Sequence, residues 1–378
     1  MNMLVDGEWR ADAFEVTTED GSFQRQETPF RHEIRDDPDA RFQPEAGRYH
    51  LYVSYACPWA HRTLLMRTLK GLEDAISVSV VDPYRGEDGW QFTPDKDGCT
   101  RDHVHDADFL RDLYVRADPD ATCRVTVPVL WDRNEDTIVN NESEEIMRMF
   151  DTEFDEYAQR DVDLYPGGYR DEVDRIIDEI YEPINNGVYR AGFATKQEPY
   201  DEAVGDLFAA LDHWDEVLAD QRYLAGDRLT EADIAMFTTL VRFDNVYHTH
   251  FMCNVQSIHE YDNLWPYLRD LYQTDVADRR EGTPDGRTER GARGDRRERL
   301  DDANGEDRPV SEATRESGVA ETVNMAHIKE HYYTTHPDVN PHRIVARGPD
   351  LEFEAPHDRD ALPGGPPSGL HAAASADD

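Results

Sequence analysis

Residues 51–70, LYVSYACPWAHRTLLMRTLK, constrain the fold more than any other stretch of the chain. They read as a short hydrophobic strand (Leu51, Tyr52, Val53), a polar turn, a cysteine, a proline and then a helix whose Leu64, Leu65 and Leu69 recur at helical spacing. Pro58 suits a first helical turn, where its missing N–H would have had no partner. Cys57 therefore falls at the helix N-cap. There, unpaired backbone N–H groups and the positive end of the helix dipole favour a thiolate over a thiol. A lone cysteine is otherwise most often a small buried hydrophobe; the proline and the strand-to-helix junction favour reactivity.

A second β-rich run, residues 76–81, follows the helix, and strand, helix, strand is the signature of a parallel pair. A long polar excursion, 82–122, carries Trp90. Two further β-rich runs, 125–131 and 137–139, are separated by a polar turn and predict a hairpin, followed by a helix from about Ser143 through Phe150. Pro128 removes a ladder hydrogen bond, which places it on an edge or at a bend. Were its peptide bond cis, the backbone of Val127 would face outward and could pair with an extended, peptide-like ligand. Ser143 falls at an N-cap or first-turn position, where free N–H groups bind carboxylates well, although such a residue is most often only a cap.

The second half is helical. Val173, Ile176, Ile177, Ile180, Tyr181 and Ile184 form one apolar stripe, and Tyr200, Val204, Leu207, Phe208, Leu211, Trp214 and Leu218 form another. Thr230 with Asp233 reads as a capping box opening a further helix. The run 278–318 breaks this order: ten arginines and twelve acids accompany only Leu300 and Val310 as large apolar residues, so it predicts a disordered insertion. His327 and His331 stand one helical turn apart, but the run lacks an HExxH pattern and a third ligand, so no metal is expected. The expected organisation is an extended N-terminal arm at 1–48, an α/β domain at 49–152, an all-helical domain at 169–362 interrupted by the insertion, and a mobile tail at 363–378.

Composition narrows the function classes. Eighty-one acidic residues face forty basic ones, a formal net charge of −41. Such a surface repels nucleic acid and anionic membranes, so neither is an expected partner. Lysine occurs only at positions 70, 96, 196 and 329, and the acids are spread over the whole chain, as on the surfaces of halophilic proteins. Four widely spaced cysteines form no CxxC pair and predict a reducing cytoplasm. The N-terminus has no apolar stretch of signal-peptide type, and no window approaches a membrane-spanning length.

The βαβ unit with a helix-capping cysteine, a later Val-Pro and a Glu-Ser at the next helix start resembles the thioredoxin-like arrangement. Joined to an all-helical domain, it resembles a glutathione transferase. Cys57-Pro58-Trp59-Ala60-His61-Arg62, the run 125–131, Asn140 to Ser143 and the run 185–193 closely resemble the Xi class, the glutathionyl-hydroquinone reductases. So do Thr322 to Met325, Ile328-Lys329 and His331-Tyr332-Tyr333. The resemblance implies an α/β plus all-α fold, with an N-terminal thioredoxin-like domain followed by an all-helical GST C-terminal domain. It also implies a homodimer.

The motif C-P-W-A has no second cysteine, so Cys57 needs an external thiol to resolve its mixed disulfide. By the resemblance, its thiolate attacks the sulfur of a glutathionyl-hydroquinone, and a second thiol then releases the oxidised disulfide. Tyr189 is implied as the proton donor to the leaving carbon. Tyr247 and one of the pair Tyr332 and Tyr333, with Tyr332 favoured, are implied to hydrogen-bond Cys57 and lower its pKa. Trp90, Arg124, Val125, Thr126, Val127, Glu142 and Ser143 match the family's glutathione contacts. The co-substrate is glutathione, or γ-glutamylcysteine in a salt-loving cell; the other substrate is a small quinone thioether. Two other readings stand beside this one: a general thiol transferase or dehydroascorbate reductase, and a non-catalytic interaction module.

Overall fold

The computed structural model describes residues 2–276, 318–367 and 370–371. Two strands, β1 (Met3–Val5) and β2 (Glu8–Arg10), form an N-terminal hairpin. The α/β unit is a four-stranded sheet of β3 (Tyr49–Val53), β4 (Ile76–Val80), β5 (Val129–Asp132) and β6 (Thr137–Asn140) in the order β4-β3-β5-β6. β3 and β4 run parallel and the other pairs antiparallel, which is the thioredoxin-like topology. β3 is buried along its whole length, as an inner strand covered on both faces should be.

Helix α1 (Pro58–Lys70) begins with proline and ends at Gly71, whose positive φ of 68° closes the C-terminus as the Leu72 N–H reaches back to the Arg67 carbonyl at 2.9 Å. It packs against α3 (Ser143–Thr152) on one side and the helical half on the other. The excursion 82–122 is not all loop: α2 (Leu110–Ala117) lies within it, burying Leu110, Leu113 and Tyr114. Pro128 is at a bend, not on an edge: β5 is an interior strand, and the proline stands immediately before it after a cis Val127–Pro128 peptide.

The helical half comprises α4 (Arg170–Ile180), α5 (Gly187–Gly192), α6 (Gln197–Val217), α7 (Glu231–Arg242), α8 (His248–His250), α9 (Leu264–Tyr272) and α10 (Met325–Thr335). The capping box at Thr230 is present, with the Asp233 carboxylate accepting from the Thr230 N–H at 2.8 Å. All of α7 is buried, because it lies between α1 and the outer helices. Two wide turns interrupt the helices, at Tyr181–Asn185 and Phe243–Tyr247, where an N–H bonds the carbonyl five residues back instead of four.

The polar side of α1 joins the two halves. Arg62 donates to Asn185 at 2.8 Å, and the His61 ring bonds the Thr322 hydroxyl at 2.7 Å.

The disordered insertion expected at 278–318 lies outside the described residues apart from Gly318. The residues flanking it meet, the Val319 N–H donating to the Thr274 carbonyl at 3.0 Å. The tail, read as mobile from Pro363, departs from that reading where it is described: β7 (Asp275–Val276) pairs with β8 (Leu370–His371), and Leu370 is buried. The arm covers more than the domain that follows it, since Phe23 stacks on Tyr189 and Phe193 of the helical half.

Candidate active site

One cleft of about 1100 Å³, part of it open to solvent, lies where the arm, the α/β unit and the helical half meet. Cys57 is at its floor as the N-cap of α1, and its Sγ contacts the Val127 carbonyl at 3.5 Å. The cysteine ends a tight turn closed by its own N–H on the Ser54 carbonyl at 3.1 Å. Burial pushes the Cys57 thiol up; the Ala60 N–H, Arg242, the Trp59 N–H and Arg25 pull it the other way. At Cys57, desolvation thus exceeds the helix-end effect expected from sequence.

Three tyrosines converge above the cysteine. The hydroxyls of Tyr189 and Tyr332 lie 2.5 Å apart, and Tyr247 reaches Tyr332 at 3.0 Å. Tyr189 and Tyr332 line the cleft, whereas Tyr247 is buried behind them. The expected hydrogen bonds from Tyr247 and Tyr332 to Cys57 give way to this phenol chain, and the Cys57 thiol bonds a backbone carbonyl. Of the pair Tyr332 and Tyr333, it is Tyr332 that lines the cleft; Tyr333 is turned elsewhere, donating to the Asn245 carbonyl at 3.2 Å. Burial raises the pKa of all three cleft tyrosines, so each keeps its proton at neutral pH.

Both wide turns lie beside this group: one ends at Asn185, shortly before Tyr189, and the other ends at Tyr247 itself. Phe251 packs on the rings of Tyr189, Tyr247 and Tyr332, and Gly192 leaves it room: a Cβ there would stand 2.2 Å from the Phe251 ring.

Of the residues expected at a thiol-binding site, Trp90, Arg124, Thr126, Val127, Glu142 and Ser143 line the cleft; Val125 does not, and packs in the hydrophobic core. The Tyr114 hydroxyl donates to the Thr126 carbonyl at 2.8 Å and accepts from the Thr126 N–H at 3.2 Å, anchoring the segment just before Val127. Glu142 caps α3, accepting from the Ser143 N–H at 3.2 Å, and burial raises its carboxyl while Arg25 opposes the shift. Two polar atoms here are buried without a hydrogen-bond partner: Trp90 Nε1 and Ser143 Oγ. Such atoms are costly to leave unpaired.

Sequence reasoning missed several lining groups. Arg25 from the arm lies 4.4 Å over the Trp59 ring, and Arg85 from the loop after β4 faces Trp90. With Arg124, whose guanidinium burial and the neighbouring charges of Arg85 and Arg25 push down to about 9, they make a cationic cleft in a strongly acidic chain. His331 and His336 also line it. His327 and His331, considered together as a metal pair, bond separate carbonyls, those of Asp97 and Pro83, each at 2.7 Å.

Comparison with known proteins agrees with this geometry. Residues 56–153 match the glutathione S-transferase N-terminal domain and residues 197–270 the C-terminal domain. The chain is 43% identical to glutathionyl-hydroquinone reductase YqjG of Escherichia coli, over 95% of this chain and 99% of that protein. It is 44% identical to glutathionyl-hydroquinone reductase PcpF of Sphingobium chlorophenolicum, over 92% and 96%. A Xi-class transferase structure from Natrialba magadii superposes with a TM-score of 0.81 at 72% identity, covering 96% of this chain and 98% of that one. The chain belongs to the Xi class of glutathione S-transferases. A glutathione-bound structure of YqjG superposes on this Xi-class chain with a TM-score of 0.76 at 42% identity, covering 95% and 99%. The cleft suits a small anionic thiol such as glutathione, since Arg25, Arg85, Arg124 and the first residue of α3 line it.

Proposed function

We propose that this Xi-class enzyme is a glutathionyl-hydroquinone reductase in which Cys57 is the nucleophile and Tyr189 the proton donor. The observation that carries the reading is that Cys57, the N-cap of α1, and the Tyr189 phenol, which burial keeps protonated, line the same cationic cleft. The Cys57 thiolate attacks the sulfur of the thioether, forming a mixed disulfide as the carbon–sulfur bond breaks. The leaving carbon takes the bonding pair and the Tyr189 proton, so free hydroquinone departs. A second glutathione thiolate attacks the mixed disulfide, releasing glutathione disulfide and restoring Cys57.

Trp90, Arg124, Val127, Glu142 and Ser143 hold the glutathionyl part; Tyr332 and Tyr247 order the Tyr189 phenol and resupply its proton. Simple disulfide exchange, the transferase alternative, has no use for a buried phenol donor, and the intact site argues against a non-catalytic module.

Four free cysteines support a reducing, cytoplasmic setting. Among the described residues, no helix is long and apolar enough to cross a membrane. The net charge of −41 supports adaptation to high salt, as does the pairing of every lysine within the fold: Lys70 with Asp151 and Asp155, Lys96 with Asp82 and Glu330, Lys196 with the Glu19 carbonyl and Lys329 with that of Arg347. The Xi-class resemblance supports a homodimer, which light scattering in high salt tests.

The test of the reaction is its stoichiometry. With glutathionyl-hydroquinone and glutathione, one hydroquinone is expected per glutathione disulfide, and none from Cys57→Ser. Full activity in Cys57→Ser refutes the reading.

A further inference from the structure

Arg242, the last residue of α7, is fully buried, and its four hydrogen-bond partners include no carboxylate. Its Nε donates to the Ala56 carbonyl at 3.0 Å and one Nη to the Tyr55 carbonyl at 2.9 Å. The other Nη donates to the Thr238 carbonyl at 2.7 Å and to His61 Nδ1 at 3.1 Å. Because guanidinium only donates, Nδ1 of His61 is an acceptor and its Nε2–H donates to Thr322. His61 is therefore neutral, and burial followed by the Arg242 charge holds it so.

Tyr55 and Ala56 are the central residues of the turn that ends at Cys57. The guanidinium edge thus spans the two central carbonyls of that turn and ties the nucleophile to the helical half. A buried cation without an anion costs several kcal/mol in most settings. Here an anion forms beside it during turnover.

We propose that Arg242 is a positioning residue for the nucleophile: it fixes the Ser54–Cys57 turn through two carbonyls and is the buried counter-charge of the Cys57 thiolate. The inference rests on Cys57 being the nucleophile. The other groups facing the thiol are the N–H groups of Ala60 and Trp59 in α1, Arg25 from the arm, Arg85 from the loop after β4, and Tyr189 of α5. Arg242 also bears on Tyr189, Tyr247 and Tyr332, and among the cations named here it alone is held by the cysteine turn itself.

The experiment measures iodoacetamide alkylation of Cys57 against pH, read at the Cys57 peptide by mass spectrometry, together with turnover, for wild type, Arg242→Gln and Arg242→Lys. Circular dichroism verifies folding. Arg242→Gln is expected to move the alkylation midpoint up by about one pH unit or more and to slow alkylation at pH 7 about tenfold. Arg242→Lys keeps the charge but cannot fork across two carbonyls. Its midpoint is expected to stay near wild type, while kcat falls about tenfold with KM unchanged. A folded Arg242→Gln with the wild-type midpoint overturns the proposal. If that variant does not fold, full kcat in Arg242→Lys overturns it. A wild-type Cys57 that resists alkylation at every pH would instead remove the nucleophile assignment.

Discussion

The hydroxyl of Tyr332 stands 2.5 Å from that of Tyr189, joining residues 143 positions apart in the chain. A phenol held that way is oriented before substrate arrives, and the Tyr247 hydroxyl, 3.0 Å from that of Tyr332, completes the group. Orientation of a general acid contributes to rate only where a proton must move to the reacting atom.

Tyr189→Phe removes that donor and leaves the ring packed on Phe193 and Phe251. Turnover of a glutathionyl-hydroquinone is expected to fall about 10²- to 10⁴-fold, while exchange with a simple glutathione disulfide stays near wild type. Steady-state rates on the two substrates check this; equal losses on both would show that the phenol acts on the thiol and not on the leaving carbon.

Ser143→Ala deletes a buried hydroxyl that has no hydrogen-bond partner among the described residues. Little change in melting temperature is expected, with KM for glutathione rising about tenfold as roughly 1 to 1.5 kcal/mol of ligand hydrogen bonding is lost. Trp90→Phe is expected to act in the same sense through Nε1. Thermal melts and saturation curves on the same samples check both; unchanged KM in both variants would place the glutathionyl group elsewhere.

Gly192→Ala places a methyl group 2.2 Å from the Phe251 ring. Phe251 must shift against the three tyrosines, at a cost of about 1 to 3 kcal/mol. The expected result is a lower melting temperature together with loss of thioether turnover, measured on the folded variant below its melting point. Wild-type turnover would mean that the phenol chain tolerates repacking.

His331 carries a pH signature. Burial, then the Arg85 charge, pushes its imidazole down to about 3, whereas a histidine in the unfolded chain titrates near about 6.5. Below that pH the unfolded state binds a proton that the folded state refuses. Stability therefore falls as pH drops from about 6.5 toward 3, by up to about 1.4 kcal/mol per unit from this one group. His331→Gln, which keeps a donor for the Pro83 carbonyl, is expected to lose stability less steeply over that window. Urea melts at pH 7, 6 and 5 check it; parallel profiles would contradict it.

Local signals made the N-terminal unit legible in the sequence: the strand, Cys57-Pro58 and the leucines of α1 are consecutive, and their periodicity switches where the structure does. The apolar stripes of α4, α6 and α7 are equally local. Helix α2 escaped notice because its buried face has only Leu110, Leu113 and Tyr114 within a charged excursion. Leu370 escaped because β8 pairs with Val276, nearly a hundred residues earlier.

The same division holds at the site. Cys57, Glu142 and Ser143 sit at helix starts that pattern reveals, and the tyrosines entered through family resemblance. Arg25, Arg85 and Arg242 have no local signature: each is one arginine among many, and only long-range packing brings its charge to the cleft or to the cysteine turn. Val125 was grouped with its neighbours in the run 124–127, yet that segment precedes β5 and has no strand alternation, and Val125 alone of the four turns into the core instead of lining the cleft.

The most direct test of the central claim is a single-turnover experiment with enzyme in excess over a glutathionyl-hydroquinone and no added glutathione, read by intact-protein and peptide mass spectrometry. One free hydroquinone is expected for each enzyme that gains one glutathionyl group, the group is expected on Cys57, and added glutathione is expected to remove it as glutathione disulfide. Hydroquinone release without an adduct on Cys57 would contradict the account.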